Sequence, residues 1–316
     1  MDNFLLCFHA IMPLLLLMML GYFLKQIRFI PKTGFDVLDK LCFKIFIPVL
    51  LFNNVYTADF STEFDLKASL FALAGVIGVF LLIFLLTPKL MKRSNRENAT
   101  VVHGICHGNM AVLGIPLITN LFGQSGVAVY SIILACVSPV INSLMVFEHI
   151  YFQGDKIKPG RLILNVLKSP FVIGTLSGLV CKLLGIQFPA FLQTAITNVK
   201  SIASPLSLIA LGGSFSFGSI KSMVAPVVNS VLTKCVWIPA VVLGIAVALG
   251  FRGLLLASMM VIFCCPSAGA TYSFCAGYCG NPRMASQIVV YSTAFSIFSM
   301  FLWLFAFLQL GLLYVK

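Results

Sequence analysis

Long apolar runs follow one another along this chain, separated by short charged connections, and no other feature constrains its fold as strongly. The first, Phe4 to Leu24, is long enough to cross a bilayer, which takes about 20 residues. Reading on between charged or Pro/Gly-rich breaks gives Val37–Tyr56, Leu66–Leu86, Ala99–Phe122, Gly126–Phe147, Leu162–Leu184, Phe191–Gly212, Met223–Leu249, Leu254–Tyr278 and Ala285–Leu313. The runs are continuous rather than alternating, so helices are expected and barrel strands are not. Apolar residues make up 60% of the chain and charged ones 9%, against about a quarter charged in a soluble domain. Lipid is the natural solvent for such a surface. An all-α integral membrane protein of ten spans is the expected class. The first run has no basic start and no small-residue cleavage site, so it reads as a retained helix rather than a signal peptide.

The net charge of +12 comes from basic residues in the connections, where it sets topology. Lys25, Arg28 and Lys32, then Lys89, Lys92, Arg93 and Arg96, then Lys156, Lys158 and Arg161 alternate with connections poor in positive charge. The basic side should be cytoplasmic, which leaves both termini outside a multi-pass protein of the cell membrane. No basic, aromatic-interleaved stripe suggests nucleic acid as a partner. The ten cysteines lie almost entirely within apolar runs, and no C-x-x-C pair marks a zinc or redox motif. No cofactor is expected.

Shifting the chain by 157 positions places Pro13 on Pro170, Gly21 on Gly178, Lys25 on Lys182, Pro48 on Pro205 and Gly123 on Gly280. Two five-span units are therefore expected, residues 1–157 and 158–316. An odd number of spans per unit forces the copies to insert in opposite directions.

Span 4 contains GNMAVLGIPLI, Gly108 to Ile118. Gly114 with Ile115 and Pro116 is a poor helix interior, since proline removes a donor and clashes with the preceding turn at about 3 kcal/mol. Span 9 has the counterpart CCPSAGATYSFCAGY, with Pro266, Ser267 and Thr271. Two broken helices in corresponding places of inverted halves point to a substrate site. Half-helix N-termini offer free N–H donors and partial positive charge to an anion, and the Asn109 amide could donate to the same carboxylate. A pair of proline kinks, with Asn109 bonding a neighbouring helix, is the plainer alternative.

All nine acids (Asp2, Asp36, Asp39, Asp59, Glu63, Asp65, Glu97, Glu148, Asp155) fall in connections or at span ends. A cation exchanger normally holds its ion on a carboxylate within the membrane, so an anionic substrate is easier to accept. Lys200 and Lys234 fall near the middles of spans 7 and 8, where a charge on a lone helix costs roughly 2.5–3.5 kcal/mol. They are candidate counter-charges for an anion, with snorkelling as the alternative. His103, Cys106 and His107 cluster at the start of span 4, and Glu148–His149 ends span 5. A proton relay or a metal site is conceivable there, although no third metal ligand of suitable spacing is evident.

The segment GNMAVLGIPLITNLFG, together with the run around Pro48, SPLSLIALGG (Ser204 to Gly213) and the Pro266 stretch, resembles the auxin efflux carrier family. That family includes the plant PIN-type auxin carriers and bacterial permeases for malate and related acids. The resemblance implies a five-plus-five inverted fold related to the bile-acid sodium symporters. It also implies a scaffold of spans 1, 2, 6 and 7 and a moving bundle whose broken helices 4 and 9 cross. Asn109 matches the asparagine that contacts the substrate carboxylate in plant members, and Pro116 matches their crossing proline. On span 9 the match is partial: Pro266 and Ser267 stand where plant members have proline and glutamine, and Thr271 replaces their second proline. Plant relatives suggest a homodimer.

The expected function is secondary transport of a small organic carboxylate by elevator-type alternating access, with Na+ or H+ open as the coupling ion. A membrane-embedded enzyme or sensor using His103, Cys106 and His107 is the reading from a different class. No H-E-x-x-H, phosphate-cradling loop or Ser/His/Asp order supports catalysis.

Overall fold

The computed structural model describes residues 2–57, 65–154, 168, 170–215 and 223–314. The basic connection at Lys156, Lys158 and Arg161, and the acids Asp59, Glu63 and Asp155, lie outside the described residues.

Helix α1 is Asp2–Gln26. Helix α2 runs through Lys32–Leu41, a π-helical turn Cys42–Phe46 and Ile47–Thr57. Then come α3 (Leu66–Met91), α4 (Asn95–Cys106), α5 (Met110–Gln153), α6 (Pro170–Leu183) and α7 (Ala190–Ser214). Helix α8 joins Val224–Leu232, a second π-helical turn Thr233–Trp237 and Ile238–Ala248. The last are α9 (Gly253–Cys264), α10 (Ala270–Gly277) and α11 (Pro282–Gln309). Among the described residues there is no strand, only an isolated antiparallel bridge between Gly108 and Ser267.

Local chemistry sets several ends. Asp65 caps α3 by accepting from the Ala68 N–H at 2.7 Å. Ser94 caps α4: its hydroxyl accepts from the Glu97 N–H at 3.4 Å and donates to the Glu97 carboxylate at 3.1 Å. Asn281 caps α11 by accepting from the Met284 N–H at 3.2 Å, with Pro282 in the first turn.

By length and composition, six helices among the described residues could cross a membrane: Asn3–Gln26, Leu66–Met91, Met110–Gln153, Ala190–Gly213, Val224–Ala248 and Pro282–Gln309. The sequence pattern leads one to expect ten. The difference has physical causes. The expected fourth and ninth spans are each split near the middle, into α4 with the start of α5 and into α9 with α10. The second half of span 4 and all of span 5 form one 44-residue helix, bent at Gly123, whose φ of 68° and ψ of −161° leave the helical region. Span 2 is helical throughout but carries Asp39, Lys40, Lys44, Asn53 and Asn54, which lower its hydropathy, and span 6 begins within residues outside the description.

Burial differs sharply between helices. The outer faces of α1, α3 and α11 expose Leu16, Leu81, Leu85, Phe298 and Leu302, as lipid-facing helices do. The broken helices are the core: Leu256 through Cys264 on α9, and Asn98 through Cys106 on α4, are buried without exception.

Two helix pairs are locked by glycine. A Cβ on Gly21 of α1 would stand 1.9 Å from Ile209 O on α7, and one on Gly178 of α6 would stand 2.4 Å from Phe52 O on α2. Small residues let helix backbones approach this closely. Gly178 follows Gly21 by 157 positions, and Ile209 follows Phe52 by the same 157.

Candidate functional site

The two interruptions meet. Helix α4 stops at Cys106 and α5 starts at Met110, while α9 stops at Cys264 and α10 starts at Ala270. Where they cross, the Asn109 N–H donates to Pro266 O at 2.8 Å and the Ala268 N–H donates to His107 O at 2.9 Å. The Ser267 hydroxyl donates to Gly104 O, and its N–H donates to the Ser292 hydroxyl of α11 at 3.1 Å. Each break thus satisfies the backbone groups that the other leaves open, which a bilayer interior demands.

The position of the first break corrects the sequence expectation. Gly114, Ile115 and Pro116 lie inside α5, and the chain leaves the helix at His107–Asn109 instead. Gly114 serves packing: a Cβ there would stand 2.4 Å from Tyr130 Oη and 2.5 Å from Val261 Cγ1 of α9. The Tyr130 hydroxyl donates to Met110 O at 2.9 Å, closing the first turn of α5 against its own later part.

A cavity of about 390 Å³ opens at the crossing, a size suited to a small ligand. His107, Gly108, Asn109, Met110 and Ala111 line it from the first break, and Ala268, Ala270, Phe274 and Tyr278 from the second. Ser138 and Asn142 of α5 add polar groups, Phe43 and Leu51 of α2 an apolar wall, and Lys168 a cation. No acidic residue is among the described residues that line it. The Asn109 side chain makes no capping bond to α5, although the residue occupies the cap position. A larger cavity of about 550 Å³ between α1 and α11 is lined almost wholly by apolar side chains such as Phe8, Met12 and Phe301. It offers no polar group to orient a solute beyond Tyr22, and reads as a lipid-facing groove.

Of the residues the sequence singled out, Asn109 lines the crossing cavity. Pro266 and Ser267 form the crossing itself, and Thr271 is fully buried beside it with its hydroxyl unpartnered. Lys200 stands apart, half-buried at a small cavity with Asn54, Thr57 and Gln124. Lys234 is buried behind the crossing, where its Nζ would lie 3.1 Å from a Cβ on Gly108. Neither lysine lines the crossing cavity, so neither is a direct counter-charge in it. Ser138, Asn142 and Lys168 were missed. The available signal for the first two was a pair of polar residues four apart, on one helical face of an apolar run.

The imidazoles gather differently from the expectation. His103 Nδ1 lies 3.3 Å from Glu148 Oε1 and 3.0 Å from His149 Nε2, and His149 Nε2 lies 3.2 Å from Glu148 Oε1. All three side chains are fully buried. His103 Nε2 contacts His107 Nδ1 at 3.0 Å, and His149 Nδ1 donates to Cys279 O at 2.6 Å. Phe274 covers the group, its ring centroid 4.9 Å from that of His103 and 5.8 Å from that of His149. His103, Glu148 and His149 are the residues that could hold a metal ion. Span 4 supplies only His103; the other two ligands, which its spacing could not reveal, come from α5. Glu148 stands near the end of α5, which continues past it to Gln153, but it is packed against α4 and fully buried, so the chain does carry a carboxylate in the protein interior. Cys106 takes no part. It lines a separate small void with Val76, Ile262 and Lys234, which breaks up the trio of the enzyme or sensor reading.

A sequence profile of the family described as membrane transport protein matches residues 6–160 and 160–304. An uncharacterized transporter of Methanocaldococcus jannaschii is 20% identical over 301 residues, covering 93% of this chain and 96% of that protein. One of Methanothermobacter thermautotrophicus is 22% identical over 300 residues, with the same coverage of 93% and 96%. A candidate malonate transporter of Rhizobium meliloti is 22% identical over 244 residues, 76% of each chain. With apolar helices of bilayer length and a profile match running through almost the whole sequence, the chain is a multi-pass member of the membrane transport protein family, the auxin efflux carriers.

Proposed function

We propose that this protein is a secondary transporter of a small organic anion, a carboxylate of the size of malonate or malate, working by alternating access. The observation that carries the reading is the crossing cavity, which holds one lysine, two asparagines and no acid among its described lining residues. An anion placed there meets Lys168 and the amides of Asn109 and Asn142, while Leu134, Ile141, Val146 and Phe274 enclose its carbon skeleton. The name of the Rhizobium relative supports a dicarboxylate.

In this reading the chain is an inverted repeat of residues 1–157 and 158–316. The ten spans are α1, α2, α3, α4 with the start of α5, the rest of α5, α6, α7, α8, α9 with α10, and α11. Support comes from the reciprocal glycine contacts of Gly21 with Ile209 and Gly178 with Phe52, which share the 157-residue offset. Those seams join spans 1, 2, 6 and 7 into a rigid scaffold. The bundle holding the crossing moves against it as an elevator, and the basic connections face the cytoplasm.

A thermal-shift series on purified protein tests the site. A ligand of the folded state raises its stability by mass action. Malonate or malate should raise the melting temperature, whereas the uncharged malonamide should not. A hydrogen bond to a charged group contributes about 1.5–3 kcal/mol, so Asn109→Ala should weaken the response about 10- to 100-fold in concentration. Equal responses of Asn109→Ala and the parent protein would remove Asn109 from the site.

A further inference from the structure

We propose that His103, Glu148 and His149 form a binding site for a divalent transition-metal ion of the zinc class, set directly behind the transport cavity. The three inward atoms, His103 Nδ1, His149 Nε2 and Glu148 Oε1, form a triangle with edges of 3.0, 3.2 and 3.3 Å. Zinc bonds to nitrogen and carboxylate oxygen of about 2.0–2.2 Å in tetrahedral geometry place neighbouring ligands roughly 3.3–3.5 Å apart. The triangle is one face of such a tetrahedron, drawn in by a few tenths of an ångström.

The outer atoms fit as well. Metal-binding histidines give their other ring N–H to a carbonyl, carboxylate or similar acceptor, which fixes the tautomer. His149 Nδ1 donates to Cys279 O, so the lone pair of neutral His149 is on Nε2, facing the triangle. His103 Nε2 stands against His107 Nδ1 at 3.0 Å. Without an ion, His149 Nε2 and an ionised Glu148 Oε1 would be two acceptors facing each other at 3.2 Å. Glu148 Oε2 is fully buried with no hydrogen-bond partner, a costly state for a carboxylate without a counter-charge. A dication receives all three lone pairs and balances the carboxylate. Two imidazoles and one carboxylate suit zinc, cobalt or nickel better than calcium or magnesium, which take oxygen-rich shells.

The ion would also act on the cavity. Metal on His103 Nδ1 leaves the His103 proton on Nε2, donated to His107 Nδ1. His107, which lines the cavity, then carries its own proton on Nε2 as a donor. The ion and Glu148 together hold one net positive charge behind the anion site. The metal site does not rest on the transport reading, because metal content is measured without any solute.

The test uses the full chain, purified in detergent through a tag that contains no histidine. Protein from ordinary medium should hold about one zinc-class ion per chain by elemental analysis, retained against EDTA because the ligands are buried. Protein from zinc-depleted, cobalt-supplemented cells should show the visible d–d bands of low-coordinate Co2+. Glu148→Gln and His149→Gln should lose at least 90% of the ion, while His9→Gln, on α1 outside the cluster, should keep it. The cobalt spectrum of the unaltered chain decides the matter even if the cluster variants fail to fold. Folded wild-type protein with no bound metal and no cobalt bands, including one whose stability simply follows pH, would overturn the proposal. So would a Glu148→Gln variant with full metal content.

Discussion

Gly21 and Gly178 each oppose a backbone carbonyl of another helix, and a carbonyl cannot swing aside as a side chain can. Adding a methyl group at either place forces two helices apart, and overpacking of this kind costs about 1–3 kcal/mol or more. Gly21→Ala and Gly178→Ala should each lower the melting temperature in detergent by several degrees. Gly244→Ala, whose Cβ would meet nothing within 4 Å, should leave it unchanged or raise it. Equal effects of all three would contradict the helix seams. Legibility was uneven among single residues. Asn109 stood out as an amide beside the expected break and by its match to the family's asparagine, and it lines the cavity. Glu148 was placed at a span end because the apolar run stops at Phe147, whereas α5 runs on to Gln153 and Glu148 packs, fully buried, against His103 of α4. Lys200 and Lys234 drew notice by sitting within apolar runs, yet which face each occupies depends on neighbours the sequence does not name.

Among the elements, the breaks in the fourth and ninth spans were legible, but the location of the first was not. Proline and glycine at 114–116 are local signals, and local signals predict a break there. The helix continues through Pro116, and it breaks at His107–Asn109, where the segment trades backbone hydrogen bonds with Pro266–Ala268. That exchange spans about half of the chain and leaves no local mark. The bend in α5 rests on Gly123, whose φ of 68° and ψ of −161° fall in a region essentially confined to glycine, at a cost of about 1–3 kcal/mol for any L-residue. Gly123→Ala should therefore destabilise the protein by about that amount in thermal unfolding. The matching control is Gly78→Ala, at a helical glycine with equal open space, and it should be neutral or slightly stabilising. No difference between the two variants would mean that the bend does not depend on Gly123.

At the scale of the whole molecule, the class was the most legible property, since composition and run length alone exclude a water-soluble fold. The site was less legible because its cavity draws on α2, α5 and both breaks, which topology brings together. The proposed orientation, with the basic connections cytoplasmic, has its own test. An epitope fused before Met1 should be reached by antibody from outside intact spheroplasts, and one fused within the 155–160 connection should require permeabilised cells. The reverse pattern would invert the assigned topology.

The claim on which the rest depends is that the cavity at the crossing is the one through which an organic anion is carried. Uptake of radiolabelled malonate into proteoliposomes tests it most directly. The purified protein should take up malonate saturably, and Asn109→Ala and Lys168→Gln should each reduce uptake at low substrate by about 10-fold or more, as loss of a charge-assisted contact predicts. Uptake by both variants at the wild-type rate, from protein that folds and inserts normally, would contradict the account.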